Sequence, residues 1–174
     1  MSTEIPTHET ASRLHPTPTP WTRPLLPADR PALATLIASD GLFTPEEMTC
    51  ALELIDGALA DPAGDYRVRV AELGGRVAGY LCFGPSPMTD GTWDLYWIVT
   101  DAESRGRGVA SALIDAMERE LRAIGARLVR VETSPQDGYG AARRLYRRHA
   151  YPEVARLPDF YRPGDDLVIM LKRL

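Results

Sequence analysis

A glycine-rich segment between a strand and a helix constrains this chain most. Residues 105–110 read Arg-Gly-Arg-Gly-Val-Ala. Residues 92–100 before them alternate like a β-strand, and apolar residues recur at helical spacing from Val109 to Ile124 after them. The first helical turn presents unpaired N–H groups and a positive dipole end, and glycines let an anion approach them closely. The segment therefore predicts a pyrophosphate site, the alternative being a plain helix start with solvated arginines.

The distribution of charge agrees with an anion site near the middle of the chain. Residues 1–104 hold 6 Lys and Arg against 15 Asp and Glu, residues 105–148 hold 10 against 5, and residues 149–174 hold 4 against 4. A basic centre in an acidic chain favours an anionic small ligand over nucleic acid, which usually requires a basic domain. We therefore expect no nucleic-acid partner, although a solvated basic face would give the same counts.

Composition predicts one soluble domain. Residues 1–20 contain five Thr and four Pro and almost no large apolar residue, which predicts a disordered tail followed by a folded domain over residues 21–174. We expect no membrane association, because no apolar window has the length of a membrane span and the first residues lack the apolar region of a signal peptide.

Cysteine and histidine usage excludes several kinds of site. Cys50 and Cys82 are the two cysteines, and His149 is the one histidine within residues 21–174. A cysteine zinc site, a disulfide framework and a Ser-His-Asp triad therefore lack the necessary residues. We expect no metal cofactor and a reduced, cytoplasmic location.

Periodicity and turn signals predict the element order β-α-α-β-β-β-α-β-α-β-β. Thr44-Pro-Glu-Glu47 is a capping box that begins the second helix, and Gly74-Gly75 is a hairpin turn. The predicted strands cover residues 21–26, 66–72, 76–83, 92–100, 127–133, 151–157 and 166–172. Within residues 92–100, alternation predicts a single core-facing stripe of Trp93, Leu95, Trp97 and Val99.

Two nucleotide-binding patterns fit the glycine-rich segment incompletely. A dinucleotide fingerprint requires a third glycine where this chain has Ser111, and it requires a βαβ unit where a β-meander is predicted. A Walker loop requires Gly-Lys-Ser/Thr, yet the one lysine is Lys172. An NAD-binding oxidoreductase therefore remains a weaker alternative.

A third pattern, R/Q-x-x-G-x-G/A, is matched by Arg105-x-x-Gly108-x-Ala110. With the two amino-terminal helices and Ala141-Ala-Arg-Arg-Leu-Tyr146, the chain resembles the GNAT-type N-acetyltransferases from about Trp21 to Leu174. The resemblance implies an α/β (α+β) GNAT fold: a mixed, mostly antiparallel sheet with splayed fourth and fifth strands and about four helices. This chain has Ala150-Tyr151 where the family usually has Gly-Phe.

The resemblance also implies acetyl-CoA as cosubstrate. The pantetheine is expected along the backbone of Ile98, Val99 and Thr100, and the pyrophosphate on the N–H groups from Arg107 to Ala110. The expected cofactor-binding residues are Ile98, Val99, Thr100, Arg105, Gly106, Arg107, Gly108, Val109, Ala110 and Arg143. Arg143 belongs to the basic stripe of Arg143, Arg144, Arg147 and Arg148, which either meets the nucleotide 3′-phosphate or is a solvated helix face.

Acetyl transfer to an amine needs a neutral amine and a proton for the leaving thiolate. Tyr146 occupies the family's position for the acid, and a phenol matches a thiol in pKa; the alternative is that Tyr146 only packs in the core. Glu132 at the end of the fifth strand is the candidate base, with Asp94 and Tyr96 as alternatives. Tyr139 either covers the acceptor or packs against its neighbours.

The sequence thus predicts an acyltransferase that moves acetyl from acetyl-CoA to a primary amine, small or peptidyl, by direct attack. The acidic first 104 residues favour a cationic acceptor near the Gly41–Thr44 loop. The alternative is a non-catalytic acyl-CoA-binding regulatory module of the same fold. The oligomeric state is open, with a homodimer as one expectation.

Overall fold

The computed structural model describes residues 18–174, which form one sheet with helices on both faces. The strands are β1 (Trp21–Pro24), β2 (Arg67–Leu73), β3 (Arg76–Pro85), β4 (Thr92–Thr100), β5 (Leu128–Thr133), β6 (Glu153–Arg162) and β7 (Asp165–Arg173). The helices are α1 (Arg30–Ser39), α2 (Pro45–Ala60), α3 (Val109–Ala123) and α4 (Gly140–Arg148), with 3₁₀ turns at Pro27–Asp29, Ala102–Ser104 and Asp137–Tyr139. The prediction of a disordered tail lies, up to residue 17, outside the described residues.

The sheet has the order β1-β2-β3-β4-β5-β7-β6. Every neighbouring pair is antiparallel except β4 and β5, which run parallel. This confirms the predicted mixed, mostly antiparallel sheet and the four helices. No helix within residues 18–174 is long and apolar enough to cross a membrane.

The hairpin turn and the capping box that the sequence predicts are both present in the structure. Gly74 and Gly75 have φ of 61° and 78°, which is the backbone of a type I′ turn, and Leu73 pairs with Arg76 across it. In the capping box, the Thr44 N–H donates to Glu47 at 2.8 Å and the Glu47 N–H donates to the Thr44 hydroxyl at 3.2 Å. These contacts fix the start of α2 and therefore the loop that precedes it.

Each face of the sheet has its own hydrophobic core. On one face, α3 contributes a fully buried stripe that includes Leu113, Met117 and Leu121, and this cluster also contains Trp93 and Leu95 of β4. On the other face, α1 and α2 pack through Leu33, Ile37 and Ile55 onto β2 and β3. Burial on both faces explains why β3 is a nearly continuous apolar run.

The predicted single stripe on β4 is wrong, because a β-bulge reverses the strand's faces at Tyr96. Cys82 pairs with Trp97 but Phe83 pairs with Leu95, so Tyr96 is an extra residue in β4. Leu95 consequently packs in the α3 cluster while Val99 packs in the α1–α2 cluster. A one-residue slip moves every later side chain to the opposite face.

Strands β4 and β5 part at the bulge. Their pairing runs from Thr92 with Leu128 to Leu95 with Val131 and goes no further, although β4 continues to Thr100. A bulge bends its strand and increases its twist, so the bend at Tyr96 turns the rest of β4 away from β5. This gap is the splay predicted for the fourth and fifth strands.

Candidate active site

Two clefts open along the gap between β4 and β5. The phosphate-loop cleft has a volume of about 610 Å³ and lies between β4, residues 104–111 and α4. The tyrosine cleft has a volume of about 710 Å³ and lies between β4, β5, the loop before α2 and the last two strands. Leu42 and Gly138 line both clefts, so the two spaces meet at these residues.

The close approach of Leu42 to Gly138 depends on the missing side chain of the glycine. A Cβ atom on Gly138 would lie 2.7 Å from Leu42 Cδ2, which is closer than carbon atoms approach. The end of the Leu42 side chain therefore packs against the bare backbone of Gly138, and a side chain at position 138 would force that end to rotate away.

The start of α3 presents a set of free N–H groups to the phosphate-loop cleft. Gly108 has φ of 82°, a left-handed conformation that glycine adopts without strain, and the first α3 hydrogen bond runs from Ala112 N–H to Gly108 O. Within residues 18–174, no backbone acceptor takes the N–H groups of Val109, Ala110 and Ser111, and all three residues line the cleft. Free N–H groups at the positive end of a helix suit a phosphate group.

The open edge of β4 supplies further backbone groups. Asp101 N–H donates to Ala78 O on β3. Because successive residues of a strand direct their backbone groups to opposite edges, Ile98 and Thr100 turn theirs toward the gap. Both residues line the phosphate-loop cleft, whereas the side chain of Val99 is buried in the α1–α2 cluster.

Two of the arginines expected at the cofactor are not among the residues that line the phosphate-loop cleft. The Arg107 N–H donates to Ser104 O at 3.3 Å, and Arg107 does not line the cleft. The Arg143 side chain donates hydrogen bonds to the carbonyl oxygens of Ser134 and Gln136, at 2.5 and 3.0 Å. It therefore holds the loop before α4. The predicted residues that do line the phosphate-loop cleft are Ile98, Thr100, Arg105, Gly106, Gly108, Val109 and Ala110.

Two charged residues outside the predicted cofactor-binding set also line the phosphate-loop cleft. Arg148, from the same basic stripe as Arg143, lines the cleft in its place. Asp40 also lines the cleft, and its Oδ1 lies 3.7 Å from Nη2 of Arg105. The basic stripe is visible in the sequence. Which of its arginines lines the cleft depends on the rotation of α4 about its axis, which the sequence does not give.

The candidate base and its alternatives meet in the tyrosine cleft. Glu132, Asp94 and Tyr96 all line it. Asp94 is buried and accepts hydrogen bonds from Ser86 Oγ and Arg130 Nε, both at 2.6 Å, so its charge is compensated. Glu132 is half-exposed, and Oε1 lies 3.5 Å from Arg130 Nη1. Glu132 is therefore the more accessible of the two carboxylates.

Burial raises the pKa of two tyrosine hydroxyls in the tyrosine cleft. Burial, with a contribution from the Asp94 carboxylate, raises the pKa of Tyr96 to about 12, so this phenol is neutral at physiological pH. Tyr139 lines the tyrosine cleft beside Gly138, and burial also raises its pKa. Residues of the Gly41–Thr44 loop line the same cleft as Tyr139, and both alternatives for Tyr139, covering an acceptor or packing against its neighbours, stay open.

Tyr146 lies in the core behind the phosphate-loop cleft. It is 5% exposed, its ring lies 6.2 Å from the ring of Tyr151, and burial raises the pKa of its hydroxyl. Its neighbours Ala142 and Leu145 line the cleft, but Tyr146 does not. Tyr146 thus lies directly behind the residues that line the cleft. This position is compatible with a role as the acid and with core packing alone.

Comparison with known proteins agrees with this architecture. A model described as the acetyltransferase (GNAT) family matches residues 32–151. An uncharacterized N-acetyltransferase of Methanocaldococcus jannaschii is 31% identical over 104 residues, and the match spans 60% of this chain and 64% of that protein.

Solved structures extend the similarity to most of the chain. A GNAT-family structure from Desulfovibrio desulfuricans matches with a TM-score of 0.84 and 37% identity over 89% of this chain and 99% of that one. A structure from Salmonella typhimurium that contains acetyl-CoA as its cofactor matches with a TM-score of 0.71 and 20% identity over 90% of this chain and 94% of that one. The second match shows the shared fold alone.

Proposed function

Because the chain belongs to the GNAT acetyltransferase family, we propose that it transfers an acetyl group from acetyl-CoA to a primary amine. The observation that carries the proposal is the phosphate-loop cleft, where free N–H groups of α3 face the space between two parted strands. Acetyl-CoA supplies the activated acetyl thioester, and the tyrosine cleft on the other side of Leu42 and Gly138 receives the amine.

In this proposal, backbone groups hold most of the cosubstrate. The N–H groups of Val109, Ala110 and Ser111 bind the pyrophosphate at the positive end of α3. Arg105 and Arg148 line the same cleft and add positive charge. The gap-facing backbone of Ile98 and Thr100 pairs with the amide groups of pantetheine as a neighbouring strand would.

The reaction also requires that a proton be removed from the amine and that one be given to the leaving thiolate. A lysine-like amine has a pKa near 10.4, so its neutral form at pH 7 costs roughly 4–5 kcal/mol. Glu132 is the proposed base for the proton of the attacking amine, and its half-exposed position in the lining of the tyrosine cleft supports this role. Tyr146 is the proposed acid. Burial raises the pKa of its hydroxyl above that of a thiol, so the phenol is protonated at neutral pH, and its proton transfer is coupled to the departure of the thiolate from the substrate.

A cytoplasmic location fits the same proposal. Both cysteines are free, with Cys50 exposed and Cys82 buried. Free thiols persist in a reducing compartment.

The first prediction concerns Tyr146. Tyr146→Phe removes one hydroxyl from the core, and we expect kcat to fall about 10²-fold while the Kd for acetyl-CoA changes less than about threefold, because general acid catalysis is lost and binding is kept. Release of free thiol from acetyl-CoA in the presence of amines measures kcat, and calorimetric titration measures Kd.

Tyr80→Phe is the matched control. Tyr80 is equally buried on β3, and among residues 18–174 its hydroxyl has no hydrogen-bond partner. We expect wild-type kcat from this variant. Unchanged kcat in Tyr146→Phe would remove Tyr146 from the mechanism, and acetyl-CoA binding without thiol release for any amine would instead identify a non-catalytic acyl-CoA-binding module.

A further inference from the structure

Strand β4 passes from one cleft into the other along its length. Ile98 and Thr100 line the phosphate-loop cleft, whereas Tyr96 lines the tyrosine cleft. The start of α3 lies beside the Thr100 end of this path, because a Cβ atom on Gly79 would lie 3.1 Å from Val109 Cγ1 and 3.2 Å from Thr100 Cγ2. The strand therefore leads from the free N–H groups of α3 to the tyrosine cleft.

The length of pantetheine brings the thioester to the junction of the two clefts. Pantetheine is a flexible chain that contains amide groups, and in its extended form it spans about 13 Å, the length of about four residues of a strand. Tyr96 precedes Thr100 by four positions. With the pyrophosphate at α3 and pantetheine along β4, the sulfur atom therefore reaches the level of Tyr96. Leu42 and Gly138 line both clefts where the two spaces meet.

Contacts on two sides hold Leu42 at this junction. The ring of the next residue, Phe43, packs edge-on against the ring of Trp97 on β4, with 5.0 Å between the ring centroids. On the other side, the end of the Leu42 side chain packs so close to Gly138 that a Cβ atom there would lie 2.7 Å from Leu42 Cδ2. Leu42 is 43% exposed, so part of its apolar surface is available to a ligand.

An acyl chain attached to the sulfur can extend in two directions. Extension into the tyrosine cleft would occupy the space that the amine needs. Extension at the junction brings each added methylene group against the side chain of Leu42. Insertion of a methylene group into filled apolar space is unfavourable, and a difference of one methylene group changes specificity by about tenfold or more.

We propose that Leu42 determines the length of the acyl chain that the site accepts, and that it restricts the cosubstrate to short acyl groups such as acetyl. The inference rests on the proposed binding of acetyl-CoA and names a specificity-determining residue for it. Leu42 acts through the size of its side chain and takes no part in proton transfer.

A series of acyl-CoA thioesters tests the proposal, and it does not depend on the identity of the acceptor. Calorimetric titration of the full chain measures the Kd of acetyl-CoA, propionyl-CoA and butyryl-CoA. We expect the wild type to bind acetyl-CoA about tenfold more tightly than butyryl-CoA, with propionyl-CoA between them.

Two variants of Leu42 test the assignment of the residue. Leu42→Ala removes the end of the side chain, so we expect the Kd for butyryl-CoA to fall about tenfold while the Kd for acetyl-CoA changes less than about threefold. Leu42→Met nearly conserves the side-chain volume and should keep the wild-type preference. Leu157→Ala is the matched control, because Leu157 on β6 is 45% exposed and lines neither cleft. We expect wild-type Kd values from it.

The outcomes separate this inference from the function on which it rests. Equal Kd values for acetyl-CoA and butyryl-CoA in the wild type would overturn the inference while acetyl-CoA binding stands. A preference for acetyl-CoA that Leu42→Ala leaves unchanged, or that Leu157→Ala also removes, would overturn the assignment of Leu42. Absence of acetyl-CoA binding would refute the proposed function and the inference together. The predicted preference without thiol release for any amine would refute the transferase function and leave the role of Leu42 in place.

Discussion

Ala150 adopts a backbone conformation that alanine normally avoids. Its φ is 62°, just after the end of α4. The Tyr151 N–H donates to Tyr146 O and the Ala150 N–H donates to Arg147 O, which is a Schellman ending with the left-handed residue at Ala150. This is the position where the GNAT pattern usually has glycine, so the tight turn forms despite the substitution.

The second prediction uses this strain. We expect Ala150→Gly to increase the free energy of unfolding by about 1 kcal/mol, because glycine removes the left-handed penalty of an L-residue. Urea denaturation followed by circular dichroism measures the change.

Gly125 provides the reverse control. It ends α3 with φ of 76° and the same two hydrogen bonds, and a Cβ atom there would meet nothing within 4 Å. Gly125→Ala should therefore lower the stability by about 1 kcal/mol through backbone strain alone. Equal stability in all three proteins would contradict the assignment of strain to Ala150.

At the scale of elements, a buried ion pair joins α3 to β7. Glu118 is 3% exposed and accepts from Lys172 at 2.6 and 2.7 Å, from Arg122 at 2.8 Å and from the Tyr151 hydroxyl at 3.1 Å. Burial acts to raise the pKa of Glu118, but these hydrogen bonds outweigh it and lower the pKa below its usual value. The carboxylate therefore stabilises the fold above its ordinary pKa near 4.5, and this stabilisation is lost as the pH falls through the lower folded-state pKa.

The third prediction concerns this network. Glu118→Gln should lower the free energy of unfolding at pH 7 by about 2–3 kcal/mol, because Lys172 loses its charged partner. The difference from the wild type should shrink as the pH falls below 4.5. Denaturation at a series of pH values checks both expectations.

An apolar replacement of the network separates the contribution of charge to the free energy of unfolding from that of packing. The triple variant Glu118→Leu, Lys172→Met and Tyr151→Phe removes every buried partner together, so we expect it to recover most of the lost stability. A difference between Glu118→Gln and the wild type that does not depend on pH would contradict the ion-pair account.

Over the whole molecule, the sequence was sufficient for the elements and for the position of the free N–H groups at the start of α3. Strand alternation, the capping box at Thr44 and the Gly74-Gly75 turn are local signals, and the structure contains each of them. The free N–H groups at the start of α3 are also a local feature, because the first turn of any helix leaves its N–H groups without intrahelical acceptors and Gly108 brings no side chain to cover them.

The features that the sequence did not reveal depend on register and on distant contacts. The bulge at Tyr96 is one extra residue with no compositional signal, yet it decides which β4 side chains face which core. Similarly, Arg148 faces the phosphate-loop cleft and Arg143 caps a loop because of how α4 is rotated against the sheet. The contact between Leu42 and Gly138 joins segments that are far apart in the chain.

The most direct test of the central claim is an ¹⁵N–¹H correlation spectrum recorded during titration with acetyl-CoA. The account predicts that the N–H resonances of Val109, Ala110 and Ser111 shift most, together with those of Ile98 and Thr100 across the gap. The N–H of Gly125, at the far end of α3, should remain in place. Saturable binding that leaves the α3 amides unshifted would contradict the proposal that these groups bind the pyrophosphate.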